Sequence, residues 1–156
     1  MTRDDLQRMD DILAFTSNIG HAGDIAHHGL LSHIAKLRKQ GWTFSPEQRA
    51  SLDDTLGELI ANQRQAAALF VNDDLRQARA LAGEKARFRT IETQAADTHL
   101  QKIKAGQVDA AEVGALYLDI LRDMKGINSH LVGAADYPLL ARHGELLPSR
   151  LREAGN

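Results

Sequence analysis

Apolar residues recur at steps of three and four along most of the chain, and this spacing predicts long helices. The first helix runs from a capping-box pattern at Thr2 to Gly41, about 38 residues or roughly 57 Å. The stripe expected to face the core in this helix comprises Ile12, Thr16, Ile19, Gly23, Ala26, Leu30, Ile34 and Leu37. No segment alternates like a strand bounded by turns, so the predicted fold class is all-α.

Three further helices follow from capping signals. The second begins at Ser45-Pro46, since Ser is a favoured N-cap and Pro suits the first helical position. The third is capped within residues 72–74 and ends at Gly106, and the fourth opens at Asp109 and ends at Tyr137-Pro138. Short connections of about 2–5 residues favour antiparallel neighbours.

These elements predict an up-down-up-down antiparallel four-helix bundle. The bundle is expected over residues 1–138, in one domain, with residues 139–156 as a loosely packed or frayed tail. Apolar residues left on its outer faces could pair two copies into a homodimer, and the sequence candidates are Leu69, Val71 and Leu121.

The amino-acid composition excludes or disfavours several classes of function. The 156 residues carry 19 Lys and Arg against 21 Asp and Glu, a formal net charge of -2, which disfavours a nucleic-acid binder. Cysteine is absent, so disulfides, thiolate metal sites and cysteine nucleophiles are excluded. With no secretory pattern and no apolar run near the 20 residues of a membrane span, we expect a cytoplasmic chain. Phosphate-binding loops, hydrolase nucleophile motifs and Glu-x-x-His pairs are also absent, which favours a protein that is not an enzyme.

Two polar stripes are candidate metal ligands, because residues three or four apart share a helix face. The imidazole and carboxylate groups of such stripes suit Zn, Fe or Mn, and would give a divalent metal site. Ordinary solvated or hydrogen-bonded side chains are the alternative. The six residues are His21, Asp24, His28, Asp119, Asp123 and His130.

A charged stripe on the third helix is the other candidate site. Lys85 and Arg89 place like charges one turn apart, which is unfavourable unless acids on another helix pair with them. Asp119 and Asp123 are the candidate acids, and a patch that binds an anion or a protein is the alternative. The full candidate set is Lys85, Arg89, Glu92 and His99 on the third helix, together with Arg122 on the fourth.

Several segments together resemble a known family. They are residues 13–31, 44–47, 84–92, 99–100, 118–130 and 137–139, and they include Asn18-Ile19-Gly20-His21 and Arg122-Asp123-Met124-Lys125-Gly126-Ile127-Asn128-Ser129-His130. They look like the PhoU-like domain of bacterial sodium/phosphate cotransporter family proteins. The resemblance covers nearly the whole chain.

The resemblance implies a non-catalytic, cytoplasmic regulatory domain. Its expected partner is a membrane phosphate transporter, in the same parent chain, or a phosphate-signalling protein. In PhoU proteins, Glu-x-x-x-Asp pairs bind metal clusters. In this sequence Asp24 matches the Asp of the first pair, but Gly20 occupies the Glu position. At the second pair, Lys125 and Ser129 occupy both positions. A single ion is therefore the most that the pattern implies. The alternative is a stand-alone metal-binding bundle with redox or hydrolytic activity.

Overall fold

The computed structural model describes residues 1–147 and 150–151, and nearly all of them are helical. The helices are α1 (Arg3–Asp24), a π-helical segment (Ile25–Leu30), α2 (Leu31–Gln40), α3 (Pro46–Val71), α4 (Leu75–Lys104), a 3-10 turn (Val108–Ala110) and α5 (Ala111–Arg142). A short antiparallel hairpin, β1 (Leu146–Leu147) and β2 (Arg150–Leu151), follows. The all-α class is confirmed, although the π-helical segment divides the first predicted helix, so the α-helices number five within the described residues.

The helix starts follow the capping signals of the sequence. The Thr2 hydroxyl accepts the Asp5 N–H at 3.2 Å, and the Ser45 hydroxyl accepts the Gln48 N–H at 3.1 Å, each within a reciprocal capping box. Asp74 caps α4. The predicted cap at Asp109 is wrong, because that residue lies in the 3-10 turn and α5 begins without a side-chain cap.

The predicted end of the last helix at Pro138 is also wrong. The helix continues through Pro138 to Arg142, and Leu139 and Leu140 are buried in the core. Residues 139–142 are therefore part of the packed fold rather than a loose tail. Of the rest of the predicted tail, residues 148, 149 and 152–156 lie outside the described residues.

α5 occupies the middle of the fold and packs against α1, α3 and α4. Its buried side chains spread around most of the helix, as expected for a helix packed against several others, while Glu112, Ala115 and Arg122 are exposed on the remaining side. Leu121 is only 2% exposed and Leu69 is also 2% exposed, so neither can serve the dimer surface predicted from the sequence; Val71 is exposed. The largest fully buried side chains are Phe88, Leu81, Leu116, Leu121, Leu140, Val132 and Asn128.

Paired side chains give the helix directions. α5 runs antiparallel to α1 and α2, because Asp11 lies near Arg142 and His33 lies near Asp123. It runs antiparallel to α4 and parallel to α3. The corresponding pairs are Glu92–Lys125 and His99–Gly114 for α4, and Phe44–Tyr117 and Asn62–Asn128 for α3.

The inner face of α1 lies one residue position, or about 100° around the helix, from the predicted core stripe. This inner face repeats at steps of three and four and includes Asp11, Phe15, Asn18 and Ala22, all buried or half-buried. In the predicted core stripe, Ile12, Thr16, Ile19, Gly23 and Ile34 are exposed, whereas the predictions for Ala26, Leu30 and Leu37 are confirmed, since these three are half-buried and pack against the core. None of the helices in the described part of the chain is both long and apolar enough to span a membrane.

Candidate functional site

Three polar pairs join the first helical rod to α5, and we call them the polar seam. Asp11 lies 3.7 Å from Arg142, Asn18 lies 3.0 Å from His130, and His33 lies 2.7 Å from Asp123. Buried polar groups need partners, and Asn18 and His33 each find a hydrogen-bond partner on α5. Asp11 faces Arg142 only at salt-bridge distance, and its buried Oδ2 has no hydrogen-bond partner. The seam explains why α1 can pack its more polar face inward.

The His33–Asp123 pair lies beside the π-helical segment. An added Cβ at Gly29 would lie 2.9 Å from Asp123 Oδ2 and 3.0 Å from its Cγ, so only glycine leaves room for that carboxylate. His33 Nδ1 lies 2.7 Å from Asp123 Oδ2, and its Nε2 lies 4.0 Å from Asp119 Oδ2. Segments of π-helix inside α-helices are frequent at functional sites.

The contacts of Asp119 continue across α5 to α4 as an ionic network. Arg122 lies 3.6 Å from Asp119 and donates from Nε to Glu92 Oε1 at 3.0 Å. Lys125 donates to the other Glu92 oxygen, and this hydrogen bond holds the pKa of Glu92 below its usual value, with Arg122 adding to the effect. The network thus links α5 to α4 through alternating charges, and His33 of α2 lies next to Asp119.

His130 lies in a shallow groove of about 630 Å³ between α1, α4 and α5, where Lys85 also contributes to the lining. Asn18 donates from its amide nitrogen to the Ala14 carbonyl, so its oxygen faces His130 Nδ1 and must accept the proton carried there. Burial lowers the pKa of His130, and the charges of His21 and Lys85 lower it further. A neutral imidazole therefore occupies the groove at neutral pH.

His99 lies in a cavity of about 770 Å³ at one end of the fold, which we call the end cavity. The cavity is bounded by the connection before α3, the last turns of α4 and the first turns of α5. Lys102 also lines it, and Gly114 makes room for the imidazole, since an added Cβ there would lie 2.3 Å from His99 Nδ1. Apolar walls with a few polar groups suit a small ligand or an inserted side chain.

Curated proteins similar to this chain have names connected with phosphate. One is the "Putative inorganic phosphate export protein YjbB" of Salmonella typhimurium strain LT2, 29% identical over 130 residues, which are 83% of this chain and 24% of that protein. The protein of the same name from Escherichia coli K12 is 27% identical over 146 residues, which are 93% of this chain and 26% of that protein. The chain thus spans about a quarter of the length of these relatives. No family model matches the chain, and no solved structure matches it.

The six metal candidates are not brought together. Among residues 1–147 and 150–151, no group of three or more His, Asp or Glu side chains is arranged to hold an ion. His28 lies against His27, with ring centroids 4.7 Å apart, and the His21 and His130 centroids are 5.2 Å apart. Asp24 is exposed. Asp119 and Asp123 instead pair with His33.

The charged set is divided between three places. Glu92 and Arg122 meet in the ionic network, Lys85 lines the groove beside His130, and His99 lines the end cavity. Arg89 is exposed and lies outside the network. In this arrangement, the described side chains hold helices together by charge and leave a groove and a cavity open to ligands.

Sequence reasoning missed His33 and the buried amide pair. His33 follows Gly29 by four residues and continues the inner face of α1. The spacing is present in the sequence, but few residues on that face are apolar, so hydropathy does not mark it as buried. Asn62 donates to Asn128 at 2.9 Å and to Glu84 at 3.1 Å, deep between α3, α4 and α5. Nothing in the local sequence distinguishes a buried Asn from a surface one.

Proposed function

We propose that this chain is a non-catalytic regulatory module of a phosphate transport protein. In this proposal it is a four-helix bundle of the PhoU-like kind found in sodium/phosphate cotransporter family proteins, at the cytoplasmic face of the membrane. The observation that carries the proposal is the extent of the similarity. The matches include 83% and 93% of this chain but only 24% and 26% of two phosphate export relatives, as expected for one module of a larger protein.

In the proposed mechanism, the module shifts the relative populations of the transporter's conformational states. A transporter alternates between states, and a module that contacts one state better than another changes their ratio. A ratio change from 1:99 to 99:1 requires about 5.5 kcal/mol of differential binding, and smaller differences still modulate flux. The exposed apolar face of α1 and the open end cavity provide surfaces for such contacts.

Phosphate flux through the parent transporter tests the proposal. The transporter would be reconstituted in vesicles with and without the segment equivalent to residues 1–147, and flux would be measured over a range of phosphate concentrations. We expect removal to change the flux or its dependence on phosphate. Adding the separate 156-residue chain to the truncated transporter should restore the original behaviour.

A heat-unfolded sample of the same chain is the control for the addition experiment. Flux that is identical with and without the module, at every phosphate concentration, would contradict the proposal. The metal-binding alternative receives no support from the described residues, since their His and acidic side chains form no ion-sized cluster.

A further inference from the structure

The end cavity is lined by a buried tyrosine whose hydroxyl group has no partner in the fold. Tyr117 is only 9% exposed, and its ring packs edge-on against Phe44 with ring centroids 5.9 Å apart. Its hydroxyl makes no hydrogen bond within residues 1–147 and 150–151, and it is not sealed from solvent. Buried tyrosine hydroxyls usually have a hydrogen-bond partner, so this one is available to a ligand in the cavity.

Lys102 brings a positive charge to the same cavity. It forms no salt bridge in the described part of the chain and acts on Glu47 only through longer-range attraction. Glu47 is the acidic residue of the lining, and its own backbone N–H and the Ser45 side chain hold the pKa of its carboxyl below the usual value. That carboxylate therefore serves the start of α3, while the Lys102 ammonium stays unpaired among the described side chains.

The start of α5 adds to the positive character of the cavity. Helix N-termini carry partial positive charge on N–H groups that lack partners within the helix, and α5 begins without a side-chain cap. Its first turns bound the cavity at Ala111, Val113 and Gly114. Together with Lys102, this helix start favours an anion over a cation as the ligand.

The antiparallel packing of α4 and α5 directs the two polar groups toward each other. His99 of α4 contacts Gly114 of α5, so Lys102 and Tyr117 lie on opposite sides of that contact along the cavity. Side chains on a helix lean toward the N-terminus of their own helix. Since the two helices run in opposite directions, we expect the Lys102 ammonium and the Tyr117 hydroxyl to converge from the two sides.

The rest of the lining is mainly apolar. Phe44, Ile103 and Val113 supply large apolar side chains, while Ala95 and Ala111 are small and leave space unfilled. The volume of about 770 Å³ lies within the range of small-molecule pockets, which is roughly 300–1,000 Å³. An inorganic ion alone would leave these walls in contact with water, whereas an apolar ring would displace that water.

We infer that the end cavity binds a small organic anion in which a phosphate or carboxylate group is joined to an apolar ring. The anionic group lies beside Lys102 and accepts a hydrogen bond from the Tyr117 hydroxyl, and the ring lies against Phe44. Hydrogen bonds to charged acceptors are the stronger kind, which suits a donor that has no other partner. This inference goes beyond the proposed function and does not depend on it.

Isothermal titration calorimetry with small probes tests the chemistry of the ligand. Phenyl phosphate carries both parts, inorganic phosphate carries only the anion, and phenol carries only the ring. We expect phenyl phosphate to bind at least about tenfold more tightly than either single part, because the two parts contact different walls. Benzoate compares the anionic groups: binding tighter than that of phenyl phosphate would assign the cavity to carboxylates, and weaker binding would assign it to organic phosphates.

Two substitutions test the residues. Lys102→Met should weaken phenyl phosphate binding at least about fivefold and leave phenol binding unchanged, because it removes only the charge. Lys104→Met, exposed on the same helix and outside the cavity lining, is the matched control and should bind like the wild type. Tyr117→Phe should weaken phenyl phosphate binding about threefold to tenfold without lowering the unfolding free energy, since the hydroxyl has no partner in the fold to lose.

Nuclear magnetic resonance locates the bound probe. Amide signals of residues 43–48, 95–103 and 110–117 should shift when phenyl phosphate is added, because these segments bound the cavity. Shifts confined to the exposed side of α1 would reject the cavity as the site. Phenyl phosphate binding no tighter than inorganic phosphate would overturn the role of the ring. A spectrum and a heat signal that stay unchanged with millimolar phenyl phosphate and benzoate would overturn the inference altogether.

Discussion

The carboxylate of Asp123 rests against the backbone of Gly29 while it pairs with His33. An added Cβ at Gly29 would lie within 3.0 Å of three Asp123 side-chain atoms. The same carboxylate oxygen lies 2.7 Å from His33 Nδ1, so the carboxylate cannot retreat without losing that bond. The close approach of the π-helical segment to α5 therefore depends on a glycine at this position.

Gly29→Ala should consequently destabilise the fold, although alanine usually stabilises a helix by about 1 kcal/mol relative to glycine. We expect a net loss of about 1–2 kcal/mol, because Asp123 must move away and give up its hydrogen bond to His33. Urea unfolding measures the change. Gly57→Ala, at an exposed position of α3 with open space around it, is the matched control and should stabilise. Equal stabilisation by both substitutions would show that the Asp123 contact carries no energy.

Gly114→Ala should be destabilising only when His99 is present. The new methyl would lie 2.3 Å from Nδ1 and 2.6 Å from Cε1 of the imidazole, so the ring must leave its position in the end cavity. In a His99→Ala background the same substitution should be neutral or stabilising, since the obstacle is gone. A double-mutant cycle measures the coupling, which we expect at about 1–2 kcal/mol. Additive effects would contradict the close contact.

Asn62→Leu should destabilise the fold by about 1–3 kcal/mol, because it removes the donor to the Asn128 oxygen. Asn128 has no exposed surface, so water cannot replace that donor. Replacing both residues by Leu should recover part of the loss, since the unpaired Asn128 oxygen is removed while half-buried Glu84 still loses the donor of Asn62. Gln63→Leu, exposed on the same helix, should change the unfolding free energy by less than about 0.5 kcal/mol. If the double variant were the least stable, the amide pair would be stabilising in itself.

His130 should make stability depend on pH near neutrality. Its pKa in the folded chain is lowered by burial and by the charges of His21 and Lys85, so the unfolded chain binds the proton more readily. The stability that the neutral imidazole contributes is therefore fully present above the ordinary histidine pKa of about 6.5. It is lost as the pH falls through the pKa of His130 in the folded chain. The unfolding free energy measured from pH 7.5 to 5 should show a smaller slope in His130→Gln. His143→Gln, at an exposed position, should retain the wild-type slope.

Local signals located three helix starts correctly, but they did not reveal which face of the first helix is buried. Thr2, Ser45 and Asp74 cap helices where the sequence indicated, because a cap needs only residues within one turn. Pro138 inside α5 was missed, since buried Leu139 and Leu140 favour continued helix strongly enough to offset a missing backbone donor.

The orientation of α1 required knowledge of α5. By hydropathy alone, the stripe that contains Ile12 and Ile19 is the better core face, so the sequence predicts that this stripe faces inward. The real inner face carries Asp11 and Asn18, which become favourable only when Arg142 and His130 stand opposite. Because those partners lie more than 100 residues along the chain, no local pattern reveals them.

The placement of α5 has a consequence for biosynthesis. During translation α1, α3 and α4 emerge before the helix that all three pack against, and their mutual contacts are sparse. A nascent chain stopped before residue 111 would hold α1 to α4 without α5 between them, and these helices would be exposed to proteases and chaperones. Folding of this segment therefore waits for α5, and pulse-labelled chains should acquire protease resistance in one step after α5 has been synthesised.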